Sequence, residues 1–180
     1  LITEADADGI DIVKRPTGGR AIVHAEELTY SVVFPLSERT SAKGLYSEIN
    51  SALLKGLSHY DIRLEFAELE KNQPDFPAFY KDDISAACFA VPAKSEIKML
   101  GKKLVGSAQR KLGNVILQHG SILCGAKHKN LIEYLNISAD KKEELKKEIE
   151  HNTADLASIL NDETDYEKLS GCILKGFEEH

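Results

Sequence analysis

No apolar run in the 180-residue chain approaches the ~18–20 residues that a membrane-spanning helix needs. No internal repeat and no low-complexity tract is visible. Cysteine is scarce: Cys88, Cys124 and Cys172 are the three. An odd number at these spacings is neither a zinc pattern nor a disulfide framework, so no metal site is expected and a reducing cytoplasm is the expected compartment. Positive charge is in deficit, with 23 Lys and Arg against 29 Asp and Glu and a net charge of −6. A nucleic-acid footprint is therefore not indicated. The opening residues Leu1-Ile2-Thr3-Glu4-Ala5-Asp6 are polar and acidic, unlike the basic and then apolar order of a secretory leader. What the composition does offer is enough chain for one domain with a sizeable core, spanning 1–180.

Periodicity sketches the elements in order. Thr3 to Gly9 reads as the end of a helix stopped by its glycine. Ile10 to Lys14 alternates like a strand, and Ala21 to Val23 and Leu28 to Phe34 read as two more. Leu45, Ile49, Leu53 and Leu57 recur at four-residue steps, the apolar stripe of an amphipathic helix over Ala42 to Ser58. Ile62 to Phe66 is a short strand candidate. Glu68 to Asp83, with Pro74 and Pro77, is irregular and reads equally as a loop over a site or as a plain connection. Glu96 to Met99 and Lys103 to Gln109 flank Gly101 as a β-hairpin, and Asn114 to Leu123 is a further strand. Four helices follow, over Lys129 to Leu135, Lys141 to His151, Thr153 to Leu160 and Asp165 to Phe177, with Asn152-Thr153 as an N-cap signal for the third. In the fourth, Leu169, Ile173 and Phe177 share a face. Strands thus come first and helices gather in a C-terminal part from about 127 to 180. That segregation predicts an α+β fold rather than alternating βαβ units.

One stretch concentrates possible chemistry: Lys14-Arg15-Pro16-Thr17-Gly18-Gly19-Arg20-Ala21-Ile22-Val23-His24. Adjacent glycines can take positive φ and let a ligand approach bare backbone. Gly18 and Gly19 offer unhindered N–H groups, and the Arg15 and Arg20 guanidinium forks flank them, a combination suited to an anionic or carbonyl-bearing ligand. Local composition fits a glycine hairpin turn with two solvated arginines equally well. Cys88, between Ala86, Ala87 and Phe89, reads from its neighbours as a small core hydrophobe. Lys103 alone reads as a solvated hairpin lysine, with Lys102 facing the other way.

The glycine stretch closely resembles the "R-R-x-[T/S]-G-G-[G/R]-x-V-x-H" loop of the lipoate-protein ligase A, octanoyltransferase and biotin-ligase group. Two later segments resemble the same group in the same order: Gly101-Lys102-Lys103-Leu104-Val105-Gly106-Ser107-Ala108-Gln109-Arg110 and Leu117-Gln118-His119-Gly120-Ser121-Ile122-Leu123. The resemblance implies a biotin/lipoate-ligase-like catalytic domain, a mixed and largely antiparallel sheet packed with helices. Members of the group carry a helix and strands before the glycine loop, so an N-terminal portion is expected to be missing from this sequence.

Cys88-Phe89-Ala90-Val91-Pro92 followed by Ser95-Glu96-Ile97 resembles the cysteine-dependent, LipM-type octanoyltransferase branch. The resemblance then makes Cys88 the acyl-accepting nucleophile and Lys103, which precedes a "[I/V/L]-x-G-S-A" string, the cation that stabilises thiolate and oxyanion, or that shuttles the proton when the acceptor lysine attacks. It assigns Arg15, Thr17, Gly18, Gly19, Arg20, His24, Gly106 and Ser107 to substrate binding. His24 is equally a packed histidine; His119 is read as structural, and Cys124 and Cys172 as core. The bulk of Arg20 narrows the space that an adenylate would need.

On this reading octanoyl passes from acyl carrier protein to Cys88 and then to a lysine of a lipoyl domain or glycine-cleavage H-type protein. A thioester donor is already activated, so no cofactor is required. Three alternatives stand beside it: an amidotransferase between lipoyl-type carriers, a lipoate-protein ligase using ATP and magnesium, and a non-catalytic lipoyl-domain-binding subunit.

Overall fold

Strands that alternate between a buried and an accessible face build the centre of the molecule. The computed structural model describes residues 5, 7–18, 21–37, 41–71 and 96–180. In chain order these form β1 (Glu27–Pro35), α1 (Ala42–Tyr60), a 3-10 turn (Ile62–Phe66), β2 (Glu68–Leu69), β3 (Ile97–Met99), β4 (Lys102–Lys103), β5 (Val105–Leu112), β6 (Val115–Leu123), a second 3-10 segment (Ala126–Tyr134), α2 (Ala139–Asn152), α3 (Leu156–Leu160) and α4 (Tyr166–Glu178). The strands make two three-stranded antiparallel sheets, ordered β1-β6-β5 and β2-β3-β4. The expected α+β class and antiparallel pairing are both found. Among the described residues no helix is long and apolar enough to cross a membrane.

Register decides which residues share a face, because directly opposed residues of an antiparallel pair point the same way. In the larger sheet Leu28, Ile122 and Val105 align, as do Tyr30, Gly120 and Ser107, and then Val32, Gln118 and Gln109. This face meets α1, whose Leu45, Ile49, Leu53 and Leu57 are all buried in one cluster with Ile116, Ile122, Leu104 and Val105. The predicted four-residue stripe is therefore the side of the helix that faces the core. Burying each such leucine contributes ~1.5–3 kcal/mol. The opposite face, with Thr29, Ser121 and Gly106 in one row and Ser31, His119 and Ala108 in the next, contributes Ser121, Gly106 and His119 to the site.

Helix α4 closes the core by packing on α1 at a glycine crossing. A Cβ on Gly56 would lie 2.7 Å from Ile173 Cα, and one on Gly176 would collide with Gly56 N and Ala52 O. Two missing side chains let the backbones approach.

Several expectations are corrected. Residues 10–15 form no strand: Ile12 and Val13 are exposed and find no ladder among the described residues. Of Ala21 to Val23 only Ala21 makes an isolated bridge. Ile62–Phe66 is a 3-10 turn, since the Asp61 carboxylate accepts from Arg63 N at 2.9 Å and grips the Arg63 guanidinium at 2.8 Å. Only Leu64 of that segment is buried, with Ile62 and Phe66 left in solvent. The third predicted helix starts later: Thr153 ends α2, and Asp155 caps α3 by accepting from Ser158 N at 2.9 Å. The segment Lys129 to Leu135 belongs to the 3-10 stretch rather than to an α-helix.

The predicted hairpin about Gly101 also divides. Lys103 ends the smaller sheet and Val105 begins the larger one. Leu104 joins them, its N–H donating to Ile97 O and its carbonyl accepting from Leu123 N, each at 3.0 Å. Gly9, with φ +71° and Ile10 N bonded to Ala5 O at 2.9 Å, makes the expected helix stop.

Candidate active site

Lys103 is almost wholly buried, at 3% exposure, and its Nζ lies 2.9 Å from Oε2 of Glu96, itself 2% exposed. Alternation along β4 sends the neighbouring Lys102 outward, where its Nζ donates to Glu150 O at 2.9 Å. A buried ammonium requires a paired charge, and Glu96 supplies it. The other Glu96 oxygen accepts from the Ser107 N–H at 3.1 Å. One carboxylate thus fixes both the lysine and the start of β5.

Ser107 is anchored from behind by a polar cluster on α1, β1 and β6. Its hydroxyl and the Tyr30 phenol lie 2.6 Å apart, and it donates to Asn50 Oδ1 at 3.2 Å. Gln118 Nε2 donates to Tyr30 Oη at 3.1 Å, and Tyr46 Oη donates to the Ser107 carbonyl at 3.4 Å. Burial pushes both tyrosine phenols up, and the Glu96 charge adds to it, so both remain neutral donors. Gly120 lies opposite Ser107, and a Cβ there would collide with Gly106 O and sit 2.7 Å from the Tyr30 ring.

The segment after Gly9 forms the facing wall. Thr17 is buried, its Oγ1 2.6 Å from His119 Nε2, and Arg110 Nη1 donates to Pro16 O. Gly18 has φ +41°, the left-handed region that favours glycine. Burial and the positive charge of Arg15, with a further contribution from His24, hold the His119 pKa below its ordinary 6.5. Next to it, His24 Nδ1 lies 2.5 Å from Glu27 Oε1. Ser121 Oγ and Thr29 Oγ1 donate to that same oxygen at 2.6 and 3.0 Å.

These walls enclose a pocket lined by Arg15, Ile22, His24, Lys103, Gly106, Ser107, His119, Gly120 and Ser121. Five residues expected from the sequence to act together therefore meet: Arg15, His24, Lys103, Gly106 and Ser107. Thr17 lies behind His119. The expected Gly19, Arg20 and Cys88 lie outside the described residues. His119, read as structural, also faces the pocket. Glu96, Glu27 and Ser121 were not singled out in the sequence; the signal for Glu96 is the need of an inward lysine for a buried anion. Cys124 is buried away from the pocket lining, donates to Ile122 O at 3.4 Å, and burial pushes its thiol up to about 11. Cys172 is half-buried and packs against the core, as expected.

Residues 2–178 match the model of the lipoyl protein ligase A/B catalytic domain. The chain belongs to that family. Among curated relatives of the lipoyl protein ligase A/B domain is the octanoyltransferase LipM of Carboxydothermus hydrogenoformans, 33% identical over 181 residues, covering 98% of this chain and 64% of the relative. The chain thus spans just under two thirds of that relative's length. Among solved structures, lipoate-protein ligase A bound with ATP superposes with a TM-score of 0.68 at 17% identity, over 99% of this chain and 62% of the other. A bipartite lipoate protein ligase, solved with its E2 lipoyl domain from Thermoplasma acidophilum, superposes with a TM-score of 0.70 at 17% identity, over 97% and 59%. The expected biotin/lipoate-ligase-like fold is therefore present.

Proposed function

We propose that the chain is the catalytic part of an octanoyltransferase that works through a cysteine thioester. Octanoyl carried on the thiol arm of acyl carrier protein enters the pocket. Cys88, its proton lost to solvent, attacks the carbonyl carbon as the thiolate; a new C–S bond forms, the C–S bond to the carrier breaks, and the departing carrier thiolate takes up a proton from solvent. The ε-amine of a lysine on a lipoyl domain or H-type protein then attacks the acyl-enzyme, giving an amide and releasing Cys88. In both steps charge develops on the carbonyl oxygen, and the Lys103 ammonium stabilises it. Such preorganised donors contribute ~10²–10³ in rate. Arg15, Thr17, Gly18, Gly19, Arg20, His24, Gly106 and Ser107 hold the carrier arm and acyl group, in the cytoplasm and without a cofactor.

The observation that carries this reading is the buried Lys103 ammonium in the wall of a pocket otherwise lined largely by glycine backbone, small side chains and the polar tips of Arg15, His24 and His119. A narrow cleft with a buried cation in its wall suits a linear acyl thioester. The names of the LipM relatives support it, and the fold neighbour solved with a lipoyl domain supports that class of acceptor.

The test is incubation with octanoyl-acyl carrier protein in the absence of ATP, followed by intact-protein mass spectrometry. One octanoyl group, labile to hydroxylamine and absent from Cys88→Ser, is expected. A hydroxylamine-stable adduct, or none, overturns the reading. A second reading, ATP-dependent lipoate ligation, is favoured by the fold likeness to the ligase bound with ATP. It gains if free lipoate with ATP and magnesium modifies a lipoyl domain as well with Cys88→Ser as with the parent.

A further inference from the structure

The transfer step needs a proton acceptor. A lysine acceptor arrives as an ammonium, with a reference pKa of ~10.4, and attacks a thioester only after losing a proton. The transferase reading places Lys103 at the carbonyl oxygen, its Nζ held 2.9 Å from Glu96 Oε2.

Two imidazoles line the pocket, and their surroundings separate them. His119 has its Nε2 on Thr17 Oγ1 at 2.6 Å and lies within the field of Arg15, which disfavours a second positive charge. His24 is placed the opposite way. Its Nδ1 is 2.5 Å from Glu27 Oε1, and a carboxylate oxygen only accepts, so Nδ1 carries the hydrogen and Nε2 carries the lone pair. Glu27 is 4% exposed at its side chain and is itself fixed by the Ser121 and Thr29 hydroxyls. Its second oxygen, Oε2, is buried without a hydrogen-bond partner among the described residues, leaving a carboxylate whose charge is only partly satisfied until the imidazole becomes cationic. His24 keeps 45% of its side chain accessible, and among the described residues no hydrogen bond engages its Nε2. A base oriented and backed by a carboxylate in this way is the arrangement used to activate nucleophiles.

We infer that His24, oriented by Glu27, is the general base that takes the proton from the incoming acceptor amine. This rests on the transferase reading above. The ammonium of the acceptor gives one proton to His24 Nε2. The free amine attacks the acyl carbon as the carbonyl π pair moves to oxygen. The tetrahedral adduct collapses with cleavage of the C–S bond, and the second amine proton neutralises the departing Cys88 thiolate. His24 returns its proton to solvent. Among the described residues, the charged and titratable groups around His24 are Glu27 on β1, Arg15 on the glycine segment, His119 on β6 and Lys103 on β4.

The experiment separates the half-reactions of the full chain. Octanoyl loading from acyl carrier protein and octanoyl transfer from the loaded enzyme to a lipoyl domain are each followed in single turnover from pH 6 to 9.5. In His24→Gln, transfer is expected to slow ~100-fold, at least tenfold more than loading slows. Its log rate is expected to keep rising with pH as the acceptor amine deprotonates unaided, where the parent levels off. Glu27→Gln is expected to reduce transfer by a smaller factor, because the imidazole then loses the carboxylate that orients it. Equal slowing of both half-reactions in His24→Gln, or an unchanged transfer profile, overturns the assignment. Failure of the parent to load at all instead overturns the transferase reading, and this proposal with it.

Discussion

The ion pair of Lys103 and Glu96, 2.9 Å apart with both side chains nearly inaccessible to water, ties the only buried lysine among the described residues to the start of β5. Removing one partner leaves a buried charge uncompensated, which costs ~3–5 kcal/mol. Glu96→Gln is therefore expected to lower unfolding stability by about that amount in urea melts. Combining it with Lys103→Met should recover a large part of the loss. A double variant whose destabilisation is the sum of the two singles would show that the charges are not coupled.

Lys103→Ala addresses the chemistry. On the proposed transferase reading Lys103 stabilises the developing oxyanion, and its loss is expected to slow acyl loading ~100-fold or more. Lys103→Arg should not rescue it, because a planar fork does not fit where a compact ammonium sits beside one carboxylate. Single-turnover loading decides, and a Lys103→Ala enzyme that loads at the parent rate removes the lysine from the mechanism.

Thiol reactivity should separate the cysteines. With its thiol pushed up to about 11 and buried, Cys124 is expected to resist iodoacetamide in the native protein at pH 8, whereas Cys88, as the proposed nucleophile, reacts first. Peptide mapping after brief alkylation reads the order. Modification of Cys124 ahead of Cys88 contradicts both assignments.

Stability should also fall in mild acid. His128 is buried, and desolvation holds its pKa below the ordinary 6.5 in spite of the Gly125 carbonyl. The unfolded chain then binds the proton more readily, so the stabilisation is complete above about pH 6.5 and is lost as pH falls through the lower folded value. His119 shifts the same way. The denaturant midpoint is expected to drop from pH 7 to 5, and the slope should be shallower in His128→Asn. An unchanged slope in that variant refutes the attribution.

Two glycines of α4 make an internal comparison. Gly176→Ala would force a methyl into the α1 backbone and should cost ~1–3 kcal/mol or more. Gly171→Ala meets nothing within 4 Å and should gain ~0.5–1 kcal/mol from helix propensity. Thermal melts of the two variants should move in opposite directions.

Much of this architecture was legible in the residues. The stripe of Leu45, Ile49, Leu53 and Leu57 and the alternation of β1 and β6 follow from burial periodicity, which composition carries directly. Ile62–Phe66 misled because β-branched and aromatic residues imitate a strand, while the deciding bond, Asp61 to Arg63, is a local polar contact that periodicity does not register. Within the site, Lys103 reads from its own neighbours as a solvated lysine, and only the resemblance of the string that follows it turns it inward. Glu96 and Glu27 were not legible, because polar convergence leaves no periodic signal: one meets an inward lysine across a hairpin, the other gathers its chain neighbours His24 and Thr29 and the distant Ser121 on a single oxygen.

Leu104 carries a further consequence. Its N–H bonds to one sheet and its carbonyl to the other, so a lone residue sets the spacing between the pocket's lysine and its imidazoles. A residue inserted there would rotate the lysine toward solvent while breaking hydrogen bonds on both sides. Substitutions around the cleft would leave this frame in place, whereas a change in the length of the junction would disturb both sheets at once.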